Sequence, residues 1–123
     1  MMDKLTDFEL NKEIVEALGF IVTSQPYCGS VIAIHNGNSM RLRFVDYCNN
    51  YNDLVALLIQ YLISIEIYKN RVIAKDCMFG IEVDKLFYEG LEGDLPLLEK
   101  QRIVLRAGAE CLLKVLQEKQ GDE

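Results

Sequence analysis

The 123-residue sequence has no tryptophan, only two prolines and a single histidine, and its four cysteines never stand in close pairs. A zinc site normally draws two ligands from one tight turn, which needs at least one C-x-x-C-like pair. Cys28, Cys48, Cys77 and Cys111 are scattered, and His35 is the only other soft ligand. No metal and no other cofactor is therefore expected, and the thiols read as free groups in a reducing compartment. Positive charge is also short, with 13 Lys+Arg against 19 Asp+Glu and a net charge of −6. A duplex nucleic-acid binder must neutralise phosphates with Lys and Arg, so that function class is excluded. The longest apolar run, from Leu54 to Ile67, is broken by Gln60, Ser64 and Glu66 and falls short of the ~20 residues of a membrane span. The opening residues, Met1 to Asp7, are polar and carry no leader-like apolar core. The expectation is a cytoplasmic protein that does not contact membranes.

Catalytic machinery is missing at the same level. No phosphate-cradling G-x-x-x-x-G-K-[ST] or G-x-G-x-x-G run occurs. His35 stands at the mouth of an Asn36-Gly37 turn, with no spacing that ties it to Cys28 or Cys48 as a nucleophile–base pair. Asp46 and Asp53 bracket a helix start, where capping accounts for both. The chain is not expected to be an enzyme.

What is present is an ordinary globular composition, 50% hydrophobic and 26% charged. That predicts one domain over residues 1–123, with a frayed tail at 119–123. Thr6 and Glu9 have capping-box spacing, flanked by Leu5 and Leu10 as a hydrophobic staple. Leu10, Ile14, Val15 and Leu18 then fall on one helical face, and Gly19 supplies the stop. Phe20 to Thr23 reads as a short strand. Val31 to His35 and Met40 to Phe44 read as arms of an Asn-Gly hairpin, with Met40, Leu42 and Phe44 toward the core and Arg41 and Arg43 toward water.

Asn50 with Asp53 begins a second helix, apolar on most sides and so expected to lie under another layer. Ile63, Ile65 and Ile67 alternate with polar residues as a strand. Lys69-Asn70 is a two-residue turn, and Arg71 to Lys75 returns. Ile81 to Val83 is a further short strand, with Lys85 to Tyr88 a helical turn or edge strand. Asp94 and Pro96 start a last helix, in which Gly108 implies close packing. The order helix, strands, helix, strands, helix gives an α+β fold, a largely antiparallel sheet of four to five strands packed with three helices.

Two surface features are candidate binding elements. Arg41 and Arg43 on one strand, near Tyr47 and Asn49, have the chemistry to hold a small anion or nucleotide; pairing across the sheet explains them as well. Glu82, Asp84, Glu89, Glu92, Asp94 and Glu99 are opposed before Lys100 only by Lys85. That stretch carries −5 of the net −6, and would suit a partner protein with a basic surface. Solvation of a loop and a helix N-terminus explains much of the same charge.

The pentapeptide Asp46-Tyr47-Cys48-Asn49-Asn50, followed by a helix and an Ile-Ser-Ile strand, resembles the hallmark of the NinX-like family of small lambdoid phage and prophage accessory proteins. Leu5 to Lys12 with Glu16-Ala17-Leu18 is similar to that family's opening helix, and Leu105-Arg106-Ala107 to its C-terminal run. In this chain Tyr51 stands where the family has proline after the Asn-Asn pair, and Val55-Ala56-Leu57 where it has tryptophan. The resemblance implies a phage-encoded accessory protein that acts by binding, with a host protein as partner and counter-defence or host modulation as its role. Asp46, Tyr47, Asn49 and Asn50 are then the candidate binding turn, with Tyr47 as aromatic anchor. A small-molecule or nucleotide-binding module is the alternative. The apolar second helix also suggests a homodimer.

Overall fold

A computed structural model describes residues 5–22, 32–35, 43–87 and 97–121. Within them the chain runs α1 (Asp7–Ala17), β1 (Ile21–Val22), β2 (Ile32–His35), β3 (Arg43–Val45), α2 (Tyr51–Gln60), β4 (Ile63–Ile67), β5 (Arg71–Asp76), β6 (Glu82–Leu86) and α3 (Leu97–Gly121). This is the antiparallel α+β arrangement with three helices. The six described strands form two three-stranded sheets, β1-β2-β3 and β4-β5-β6, rather than one. The Asn36-Gly37 turn, Arg41, Glu89, Glu92, Asp94 and Pro96 lie outside the described residues.

Local chemistry accounts for most element starts. The Thr6 hydroxyl accepts from the Glu9 amide at 3.1 Å, and the Thr6 amide donates to Glu9 Oε1 at 2.9 Å, a reciprocal capping box. Asn50 Oδ1 accepts from the Asn52 and Asp53 amides and caps α2. Tyr68 N donates to Arg71 O at 2.8 Å across the Lys69-Asn70 turn, and Ile67 pairs with Val72 in the ladder beside it. Asp76 closes the β5–β6 connection by accepting from the Met78, Phe79 and Ile81 amides, with Gly80 at φ +74°. Glu82 to Leu86 form one continuous strand, the edge of the second sheet.

Two further expectations are corrected. Phe44 is 57% exposed, whereas Val45 is buried. The β2–β3 register pairs Ile32 with Val45 and Ala33 with Phe44, so the core face falls one residue later than the Met-Leu-Phe alternation suggests. Second, α2 is not covered all round: Leu54 and Leu58 are buried, but Ile59 is 70% exposed. A ten-residue helix packed on one side hides only the stripe facing its neighbour. Residues 119–121 continue α3. The Gln120 amide donates to Ala17 O at 2.9 Å, satisfying an open carbonyl of α1, and the Lys119 ammonium sits 5.5 Å from the Tyr61 ring centroid. The chain between α2 and β4 turns through Leu62 at φ +58°, a left-handed conformation on a non-glycine residue that sequence pattern did not signal.

α3 is the spine. It packs against α1, α2 and every strand of the second sheet, while α1 adjoins β1 and β2. Close approach is made by Ala107, Gly108 and Ala109. A Cβ on Gly108 would lie 3.2 Å from Leu54 Cδ2 and 3.3 Å from Ile65 Cδ1, so this glycine makes room for side chains of α2 and β4. Gly108→Val is expected to lower the unfolding free energy by about 1–2 kcal/mol, overpacking of 1–3 kcal/mol being partly offset by better helix propensity. Urea denaturation measures it, and an unchanged midpoint would show that α2 is free to shift.

Candidate functional site

The Asp46–Asn50 turn is built by α1 as much as by its own sequence. Asp46 is 8% exposed, and Asn11 on α1 is fully buried. The Asn11 side-chain amide donates to Asp46 Oδ1 at 2.9 Å, and Asn11 Oδ1 accepts from the Tyr47 amide at 2.9 Å. Asp46 Oδ1 also accepts from the Cys48 and Asn49 amides at 3.2 Å, and Oδ2 from the Asn49 side chain at 3.2 Å. The Asp53 carboxylate reaches back to the Asp46 amide at 3.0 Å. The Asn49 side chain continues to Asp7 Oδ2 at 3.3 Å. These contacts fasten the entry of α2 to α1.

Next to them, Arg106 on α3 donates Nε to Glu110 Oε2 (2.6 Å), Nη1 to Asp7 Oδ1 (2.7 Å) and Nη2 to Leu5 O (2.7 Å). Lys85 on β6 joins Glu110 at 3.0 Å. Burial, the largest single influence on the guanidinium, favours the neutral form; its hydrogen bonds to Glu110 and Asp7 outweigh it, and the Arg106 pKa is raised. Three segments distant in sequence, near Asp7, Asp46 and Arg106, therefore converge on one polar cluster. Sequence reading did not single out Asn11. Its signal was a polar residue on the apolar stripe of Leu10, Ile14, Val15 and Leu18.

Tyr47, expected as an exposed anchor, is 2% exposed. Its amide is held by Asn11, and its side chain adjoins a small pocket with Leu18, Phe20 and Tyr61. It is a core residue, because α1 closes over the turn. Asn50 is spent on the α2 cap. The buried thiols are poor nucleophiles: burial pushes Cys48 up steeply and Cys111 up to about 11. No group of three His, Cys, Asp or Glu residues able to hold a metal ion occurs among the described residues. No described helix is long and apolar enough to cross a membrane.

The acidic segment is divided by the structure. Glu82 pairs with Lys75 at 3.6 Å and Asp84 with Arg71 at 3.0 Å, both across the outer face of the second sheet. Lys75 also meets Glu66 at 3.2 Å. Hydrogen bonds from Tyr68 and then Lys75 hold the Glu66 carboxyl below its usual range. Glu99 is exposed on the first turn of α3. Of the two arginines, Arg43 lies on β3, with its backbone paired to Ile34.

A cleft lies elsewhere, between the start of α2, the tip of the β4–β5 hairpin and the first half of α3. It measures about 710 Å³, within the range of small-molecule sites. Tyr51, Tyr68 and Phe87 supply aromatic surface, and Ile67, Leu97, Val104 and Leu105 aliphatic surface; Asn49, Gln101, Lys69 and Lys100 are its polar groups. Asn49 is thus the one residue of the predicted turn that reaches this lining, joining the buried cluster to the cleft. A second cleft of about 660 Å³ is walled by Asp7, Asp84, Lys85, Arg102, Arg106 and Glu110. Most of its charges already neutralise one another. No family model, no curated protein and no solved structure matches the chain.

Proposed function

We propose that this chain is a binding protein without catalytic activity, and that its ligand is a small molecule seated in the cleft between α2, the β4–β5 hairpin and α3. What carries this reading is the lining itself: a concave, mostly apolar surface with three aromatic rings and a few amide and ammonium donors, the composition of a recognition site. The buried thiols, the core position of Tyr47 and the capping duties of Asn50 and Asp53 leave the neighbouring turn as support for that site. A phage or prophage accessory role in the cytoplasm of a bacterial host is the setting the NinX-like resemblance implies. Host modulation would then proceed by sequestering a ligand. A host protein as the partner is the second reading, favoured by Leu97 and Leu98, which open α3 largely exposed beside Glu99.

The test is saturable binding of the neutral apolar probe N-phenyl-1-naphthylamine, followed by fluorescence. One probe per chain is expected, weakened about tenfold by Ile67→Glu, which puts a charge in the lining. Ile59→Glu, on an exposed position of α2 outside the lining, should leave it unchanged. Absence of saturable binding, or equal loss in both variants, overturns the proposal.

A further inference from the structure

We infer that the ligand of this cleft is an amphipathic organic anion: an apolar or aromatic body against Tyr51, Phe87 and Val104, with a carboxylate, sulfonate or phosphate group paired to Lys69 and Lys100. The inference rests on the binding reading above and adds the charge of the ligand. Among the described residues that line the cleft there are two lysines and no carboxylate, in a chain whose net charge is −6. Arg71, Lys75, Lys85 and Arg106 each face a carboxylate within 4 Å. Lys69 and Lys100 have no ion pair among the described residues. The Lys100 ammonium sits over the Phe87 ring, 5.8 Å from its centroid.

An ammonium held at the edge of an apolar wall is partly shielded from water and gains more from an anion than a fully solvated one does. Gln101 adds a side-chain amide to the lining, and amide donors serve oxyanions without adding charge. The Tyr68 hydroxyl is already committed, donating to Glu66 at 2.7 Å. That commits its proton to Glu66 and leaves its ring to the cleft. The aromatic surface from three rings favours a flat body over a simple inorganic ion. A long polymer is not required by a cleft of this size.

The experiment compares two probes of similar ring system on the full chain, the neutral N-phenyl-1-naphthylamine and the anionic 8-anilinonaphthalene-1-sulfonate. The sulfonate is expected to bind about tenfold more tightly at low salt, with that advantage shrinking at high ionic strength. Lys69→Glu with Lys100→Glu should abolish the advantage, the sulfonate losing more affinity than the neutral probe. Both variants lie at the protein surface, and a cooperative urea transition at the wild-type midpoint establishes that the double variant is folded. Equal affinity for both probes, or a sulfonate preference that survives the double reversal, overturns the anion inference and leaves the cleft proposal standing. Failure of both probes to bind removes the cleft proposal itself.

Discussion

Asp46→Ala is expected to lower the free energy of unfolding by about 3–5 kcal/mol, a large share of the 5–15 kcal/mol margin typical of a domain. The aspartate is a hub rather than a surface charge. Its two oxygens accept from the Asn11 and Asn49 side chains and from the Cys48 and Asn49 amides. Asn11 and Cys48 are buried, so their donors have no water to turn to when the carboxylate is gone. Each buried donor stranded in this way costs about 1–3 kcal/mol. Asp46→Asn keeps one acceptor oxygen at the same place and is expected to cost about 1–2 kcal/mol. Equilibrium urea denaturation checks both values. A loss below about 1 kcal/mol in the alanine variant would mean that the turn re-forms its hydrogen bonds without Asp46.

Arg106→Met is expected to cost about 2–4 kcal/mol. Methionine preserves much of the apolar stem, so the loss isolates the guanidinium and its three acceptors. The cost is not spread evenly. The Asp7 side chain is 42% exposed and recovers solvation. Glu110 is 5% exposed at its side chain and, among the described residues, keeps Lys85 as its counter-charge. A buried carboxylate stripped of its main partner is the larger part of the penalty. Glu110→Gln in the same background removes the stranded charge, so the double variant should be more stable than the sum of the two single losses predicts. The expected coupling is about 1–3 kcal/mol in a double-mutant cycle. Simple additivity would show that Arg106 and Glu110 do not act as a pair.

Much of the secondary structure was legible because its causes are short-range. The Thr6–Glu9 box, the Asn50 cap and the alternation of Ile63, Ile65 and Ile67 each depend on residues two or three positions apart. Where the reading failed, a longer-range fact intervened. Phe44 belongs to an alternating run, but the face it takes is set by pairing with Ala33 on β2. The apolar circumference of α2 suggested burial, yet α3 and the second sheet cover one side only. Asn11 was hidden for the opposite reason. A polar residue on an apolar stripe signals a buried partner but does not name it, and Asp46 is 35 positions away.

The candidate site was legible in fragments. Asn49 was among the residues expected to bind, but Tyr51, Tyr68, Phe87, Lys69 and Lys100 were not grouped by any spacing. They come from two helices, a hairpin tip and the end of an edge strand. Tyr47 carried the right chemistry for an anchor, and the packing of α1 took it into the core.

By itself, then, the sequence determined the α+β class, the starts of α1 and α2 and the β4–β5 hairpin, because capping and alternation are written in residues near one another in the chain. Only the tertiary structure decided that Asp7, Asn11, Asp46 and Arg106 form one cluster and that an aromatic, lysine-edged cleft opens beside it. Those arrangements depend on which faces of separate elements pack together, across as many as 101 residues between Arg106 and Leu5, and periodicity along a chain carries no record of that choice.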